Sequence, residues 1–156
     1  MALDKTRKKV IGLGIMDIII ASDHAGFELK EFLKGSLNKH SFIDLGTDSD
    51  KSVDYPDYGF AAAKAIEEGK ADFAVVICGS GIGISIAANR NPKARCALCV
   101  NEQMASLARQ HNNANILALG ARYTTNIEAL NIVTTFLNTE FEGGRHEGRV
   151  KKLGCQ

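Results

Sequence analysis

The feature that most constrains this chain is a rhythm: five short β-rich apolar runs alternate with segments whose apolar residues recur at helical spacing. The runs are D-I-I-I-A (17–21), F-I-D-L (42–45), F-A-V-V-I-C (73–78), C-A-L-C-V (96–100) and I-L-A-L-G (116–120). Between them Leu29, Phe32, Leu33 and Leu37 share one helical stripe, and Tyr58, Ala61, Ala62, Ala65 and Ile66 share a second. Met104, Leu107 and Ala108 start a third, and Ile127, Leu130, Val133 and Leu137 form a fourth. Apolar strands joined by amphipathic helices predict a parallel sheet covered on both faces. The fold class is therefore α/β, a three-layer α/β/α sandwich on a Rossmann-like five-stranded parallel sheet.

A chain of 156 residues holds one full core and is short for two. We expect a single domain over 16–156, with residues 1–15 as a mobile extension, because Met16 stands directly before the first strand. The opening M-A-L-D-K-T-R-K-K-V-I-G-L-G-I has the look of a short export signal. Cleavage after Ala21 or Ser22 would remove that strand, which argues against it. Val10–Ala21 is the longest apolar stretch, is broken by Asp17, and falls short of the ~20 residues that cross a bilayer. Nineteen basic against eighteen acidic residues give a net charge of +1, no field for nucleic acid or an anionic membrane. A small-molecule partner fits better than either.

Four cysteines (Cys78, Cys96, Cys99, Cys155) without a credible export signal read as reduced thiols in the cytoplasm. Cys96 and Cys99 spell C-x-x-C, but three residues along a strand reverse the face, so two buried thiols are expected rather than a chelate or disulfide. Cys155 reads as a free thiol on a loose tail.

Open parallel sheets bind ligands outside the carboxyl ends of their strands. Three segments meet that edge: S-D-H-A-G (22–26) after the first strand, C-G-S-G-I-G (78–83) after the third and V-N-E (100–102) after the fourth. The glycine loop opens a helix, so its N–H groups suit an enediolate, carboxylate or phosphate; a tight turn needing glycine only for packing is the other reading. At that terminus Cys78 is either a general base, its thiolate favoured by the helix start, or a core cysteine. Asp23 and His24 are either sugar and phosphate ligands or a helix cap beside a surface histidine. His111, in A-R-Q-H-N-N-A-N, could simply complement its helix dipole. Its place says more: from Asn101 to Asn112 a helix travels ~18 Å, so His111 should lie far from Cys78 of its own chain. If both act on one substrate, a second subunit supplies the histidine. In the tail E-G-G-R-H-E-G-R-V-K-K, Arg145 and Arg149 share a face if helical and suit a phosphate, or form a solvated basic end.

Taken together, S-D-H-A-G-F-E-L-K, D-Y-P-D-Y, I-C-G-S-G-I-G-I-S-I-A-A-N, A-R-Q-H-N-N-A-N and E-G-G-R-H-E-G-R-V resemble the ribose-5-phosphate isomerase B family, which includes allose- and galactose-6-phosphate isomerases. The resemblance spans about residues 17–150. It implies a cofactor-free, metal-free aldose–ketose isomerisation through a cis-enediol, in a homodimer with shared sites, sometimes paired into tetramers. It implies Cys78 as the base moving a proton between carbons 2 and 1, Ser80 as its hydroxyl partner, and the amides of Gly79, Gly81 and Gly83 as an anion hole. It implies His111 as the ring-opening residue, with Asp23 and Asn112 positioning sugar oxygens. His24, Arg145 and Arg149 are implied as phosphate ligands with Arg122 as helper, and Tyr55 as a wall of the sugar pocket. Some relatives use a glutamate just after the last glycine of the loop; here that position is Ile84, which leaves the cysteine route.

The expected substrate is ribose 5-phosphate, because the whole cysteine, histidine and arginine set lies on one chain; a hexose 6-phosphate is the alternative. A nucleotide-binding module is a weaker reading of G-S-G-I-G, since the loop follows the third strand and departs from the full dinucleotide spacing. A non-catalytic sugar-phosphate sensor would keep the pocket without turnover.

Overall fold

The computed structural model describes residues 14–154. Most of the expected 1–15 extension and Cys155 lie outside the described residues. The elements are β1 (Asp17–Ser22), a 3-10 turn at His24–Gly26, α1 (Phe27–Ser36), β2 (Ser41–Asp44), α2 (Tyr55–Glu67), β3 (Phe73–Cys78), α3 (Ile82–Ala88), β4 (Cys96–Leu98), α4 (Glu102–Asn112), β5 (Ile116–Gly120), α5 (Asn126–Leu137) and α6 (Arg145–Leu153). All five strands run parallel in the order β2-β1-β3-β5-β4.

Alternation along the strands makes two cores. Ile18, Ile20, Phe73, Val75, Ile77, Leu117 and Leu119 point to one face and pack under Leu29 and Leu33 of α1, Ala105 and Ala108 of α4, and Ile132, Val133 and Phe136 of α5. Ile19, Ala21, Ala74, Val76, Cys78, Ile116 and Ala118 point to the other, under Ala62, Ala63 and Ala65 of α2 and Ile84 and Ala88 of α3. The three-layer sandwich read from the sequence is the observed one. Among the described residues no helix is long and apolar enough to cross a membrane.

β4 is shorter than its apolar run because the chain leaves the sheet after Leu98. Cys96 packs against one core and Cys99 within the other, so the C-x-x-C thiols do face opposite sides; burial pushes the Cys99 thiol up to about 11. Asn101 starts α4 by accepting the Met104 N–H at 2.8 Å, and Thr125 with Glu128 closes a capping box on α5. The tail that sequence left open bends at Gly143 and Gly144, both with positive φ, and then forms α6.

Parts of two helical stripes sit differently from the reading above, although Leu130, Val133 and Leu137 of the fourth do pack on the core. Met104 and Leu107 are each 40% exposed and Ile127 is 64% exposed. α4 instead buries Ala105, Ala108 and Arg109. Arg109, 1% exposed, takes a core position because its charge is met on every side: Nε donates to Thr139 O (3.1 Å), Nη1 to Asn113 Oδ1 (3.0 Å) and Ala114 O (2.6 Å). Its guanidinium also lies 4.8 Å from the Phe73 ring centre. Burial, then Arg95, lowers its pKa to about 10, so it remains charged at neutral pH. A periodicity count treats arginine as polar and cannot place it inside.

His40 ties the start of β1 to β2: its Nδ1 accepts the Met16 N–H at 3.1 Å. Burial, then Lys39, depresses its pKa below 6.5. Between the folded value and 6.5 the unfolded chain binds more protons, so stability falls as pH drops through that window and is level above it. His40→Asn, which keeps an acceptor but cannot titrate, should lose about 2 °C less melting temperature than wild type between about pH 7 and pH 5. His146 shares the direction of shift but is common to both proteins. Parallel melting curves would place the slope elsewhere.

Candidate active site

At the carboxyl edge the chain turns from β3 into α3 within three residues. Gly81 makes the turn with φ +77°, and a Cβ there would lie 2.5 Å from the Leu98 side chain and 2.8 Å from the Leu119 carbonyl carbon. Both the dihedral and the approach demand glycine. The turn carries the Gly81 N–H onto Cys78 Sγ at 3.2 Å, which gives negative charge on the sulfur a main-chain donor. Cys78 ends β3 and is 3% exposed. Ser80 Oγ accepts the Ile82 N–H at 3.1 Å. Two of the loop's amides are thus engaged within the protein, one by the sulfur and one by the serine, and the anion hole expected over Gly79–Gly83 narrows to the remainder. Ile84 is fully buried in the core.

Two side chains close over this loop. Arg122 leaves β5 with its N–H on Gly79 O at 3.0 Å, and its Nη1 lies where a Cβ on Gly79 would be only 2.7 Å away. The Tyr55 ring, at the start of α2, would be 2.5 Å from a Cβ on Gly83. Glycine at 79 and 83 therefore admits a guanidinium and a phenol ring against the backbone. From β1, Asp23 is buried and its Oδ1 accepts the Gly26 N–H at 3.2 Å, so it does cap the 3-10 turn. His24 presents Nδ1 to both the N–H (3.1 Å) and the carbonyl (3.2 Å) of Val53. The tautomer with Nδ1 unprotonated accepts from that N–H, and the one with Nδ1 protonated donates to the carbonyl.

The remaining expected residues lie at the other end of the sheet. His111 and Asn112 are the last residues of α4. The strand that follows is tied to the start of β3, with the Ala74 N–H on Asn115 O at 3.0 Å, whereas Cys78 is four residues on, ~13 Å of strand away. α6 leans on this helix end: Glu142 N donates to Gln110 O at 3.1 Å, and the His146 ring stacks on His111, centres 4.3 Å apart and planes 14° from parallel. Arg149 lines the same cleft as His111 and Asn112, and Arg145 is exposed at the start of α6. The expected residues therefore fall into two clusters: Asp23, His24, Tyr55, Cys78, Ser80 and Arg122 at the carboxyl edge, and His111, Asn112, Arg145 and Arg149 at the opposite one.

Three contributors escaped the sequence reading. His146 sits between the two expected arginines, and only the helical turn of α6 shows that it points inward while they point out. Arg109 holds the end of α4 that carries His111 and Asn112. Val53 acts through its backbone, which leaves no trace in residue type.

With this geometry in place, comparison with known proteins is informative. A family model described as Ribose/Galactose Isomerase matches residues 18–153. Ribose-5-phosphate isomerase B of Escherichia coli (strain K12) is 41% identical over 138 residues, 87% of this chain and 93% of that protein. The structure of Clostridium thermocellum ribose-5-phosphate isomerase B superposes with a TM-score of 0.88 at 51% identity, covering 89% of this chain and 95% of that one. That of the Mycoplasma genitalium enzyme with bound ribulose-5-phosphate gives 0.84 at 42% identity, over 88% and 93%.

The loop's glycines differ in what they protect. Gly81→Ala meets strand backbone at an unfavourable φ and should cost about 2–4 kcal/mol, on the order of 5–10 °C in melting temperature. Gly83→Ala meets only the far end of the half-exposed Tyr55 side chain, which can swing away, and should cost less than about 2 °C. Equal losses in one thermal scan would contradict this division.

Proposed function

The chain belongs to the ribose/galactose isomerase family, and from that premise we propose that Cys78 is the base of an aldose–ketose isomerisation completed by a second copy of the chain. The protein is a ribose-5-phosphate isomerase of type B, interconverting ribose 5-phosphate and ribulose 5-phosphate. In the proposed chemistry the Cys78 thiolate removes the proton from carbon 2 of the open-chain aldose, leaving an enediolate. The same sulfur returns the proton to carbon 1, while a proton passes from the carbon 2 hydroxyl to the carbon 1 oxygen. No atom is gained or lost. The developing oxygen charge is met by loop amides not engaged within the protein and by Arg122 above Gly79, in a part of the sheet edge where such donors are worth several kcal/mol. Ser80 orders the loop, its Oγ taking the Ile82 N–H at 3.1 Å, and serves as hydroxyl partner to the base. Tyr55 walls the sugar, Asp23 holds a sugar oxygen, and His24 donates from Nε2 to the phosphate.

The observation that carries this reading is the placement of Cys78: a sulfur held by a main-chain N–H at 3.2 Å at the start of the glycine loop that Arg122 covers at Gly79 and Tyr55 at Gly83. His111, which opens the furanose ring, and Asn112, Arg145 and Arg149, which hold substrate oxygens and phosphate, come from the partner protomer. The separation of the two half-sites along β3 supports a homodimer with two shared sites, and a pair of dimers is compatible with it. The pentose is favoured over a hexose 6-phosphate by the M. genitalium neighbour, whose bound molecule is ribulose-5-phosphate. Cys78, Cys96 and Cys99 are unpaired thiols, in keeping with a reducing cytoplasm.

Cys78→Ala should fold, bind ribose 5-phosphate and lose at least about 100-fold in kcat. His111→Ala should harm the cyclic substrate more than an open-chain one. Each variant alone should turn over the cyclic substrate poorly, but exchanged in equal amounts they should form hybrid dimers with one intact site of two, restoring about a quarter of wild-type turnover on it. No recovery despite demonstrated subunit exchange would remove the shared site. Relative turnover on ribose 5-phosphate, allose 6-phosphate and galactose 6-phosphate checks the substrate.

A further inference from the structure

The end of α4 and the start of α6 hold a set of donors that the isomerisation does not use as a set. His111, Glu142 and His146 bring their ligand atoms within 4.8 Å of one another. His146 is 6% exposed, and its buried Nε2 has no hydrogen-bond partner. The nearest carboxylate oxygen, Glu142 Oε2, is 3.6 Å away, beyond hydrogen-bond reach. A buried ring nitrogen without a partner is costly; here its nearest polar neighbour is that carboxylate, and the His111 ring stacks alongside with centres 4.3 Å apart. Two imidazoles and one carboxylate are a donor set suited to zinc-class ions, which take three protein ligands and leave a fourth position open.

The dimensions agree with this. Zinc-class bonds of ~2 Å put tetrahedral ligand atoms ~3.3 Å apart, so up to about 1.5 Å of closure is needed; movement of the half-exposed Glu142 side chain and rotation of the His111 ring out of its stack on His146 would supply it. A cleft of about 290 Å³ lined by His111, Asn112, His146, Arg149, Val150 and Leu153 adjoins the two imidazoles. Arg145 and Arg149 repel a cation and Glu142 attracts one. A hard ion held by charge alone gains little there, whereas an ion forming coordinate bonds to imidazole overcomes the repulsion.

We propose that His111, His146 and Glu142 form a binding site for a divalent transition cation of the zinc class. Occupancy ties up the His111 lone pair and so inhibits isomerisation; this consequence rests on the ring-opening role given to His111 above, while the site itself does not.

The test titrates Co²⁺ into chelator-stripped full-length protein, reads the visible ligand-field absorption, and displaces it with Zn²⁺. One ion per chain is expected. His146→Gln and Glu142→Gln should each weaken binding at least tenfold, and Cys78→Ala, a control for thiol ligation, should leave it unchanged. Circular dichroism checks that the buried His146 variant folds, and the exposed Glu142 variant serves if it does not. Zn²⁺ should inhibit wild-type turnover reversibly and act at least tenfold less potently on Glu142→Gln. Absence of stoichiometric binding, binding indifferent to both substitutions, or binding abolished by Cys78→Ala overturns the site. Binding lost in His146→Gln but without effect on turnover upholds the site and overturns the role of His111 in the reaction.

Discussion

The carboxyl edge depends on how closely one loop crosses one strand. Gly120, the last residue of β5, would place a Cβ 2.5 Å from Ser80 O, and Gly81 would place one 2.8 Å from Leu119 C. Glycines on both sides of the crossing let two backbones meet where side chains would hold them apart. That contact fixes the direction of the Gly81 N–H toward Cys78, and the residues that follow β5 return over the loop, with Ala121 N on Cys78 O at 2.9 Å and Arg122 N on Gly79 O at 3.0 Å. The sulfur's donor and the guanidinium over Gly79 are consequences of a single backbone approach. Little of the geometry is left to flexible side chains, which suits a reaction that needs charge stabilised without reorganisation.

A parallel sheet also imposes a division. Each helix after a strand begins at the carboxyl edge and ends at the opposite one, so residues at the two ends of α4 are separated by its length. His111 and Asn112 at the far end cannot be brought to Cys78 by any rotamer. That end is held firmly instead: Arg109 binds the backbone at Thr139 and Ala114 and the side chain of Asn113. Asn113 itself adopts a positive φ that breaks the helix directly after Asn112. A buried cation thus fixes where the helix stops and which way its last imidazole faces.

What could be read from sequence follows from what repeats. The strands, the sheet type and the two cores were legible because alternation and helical spacing report burial directly. The glycine loop was legible as a turn, and its Cys78 and Gly81 as neighbours, because spacing there is local. The engaged amides at Gly81 and Ile82 were not, since which N–H a sulfur or hydroxyl takes depends on φ at one residue. Asp23 kept both of its readings: it caps a turn with one oxygen, a role common for aspartate, and capping does not remove its carboxylate from the site edge. His146 was hidden by its neighbours, because a basic tail reads as solvated until its helix is docked.

The misplaced stripe on α4 has its own explanation. Met104 and Leu107 are apolar, helically spaced and yet outside the core, since Ala105, Ala108 and Arg109 fill the face toward the sheet. Phe60 on α2, Ile82 and Ile86 on α3 and Val100 before α4 are likewise large apolar side chains at least half exposed. Apolar side chains exposed on consecutive elements are what a self-associating surface requires. On the dimer proposed here the two patterns share a cause: one helix serves two interiors, its small face within the protomer and its large face between protomers. Periodicity detects that a residue is to be covered, but not by which chain.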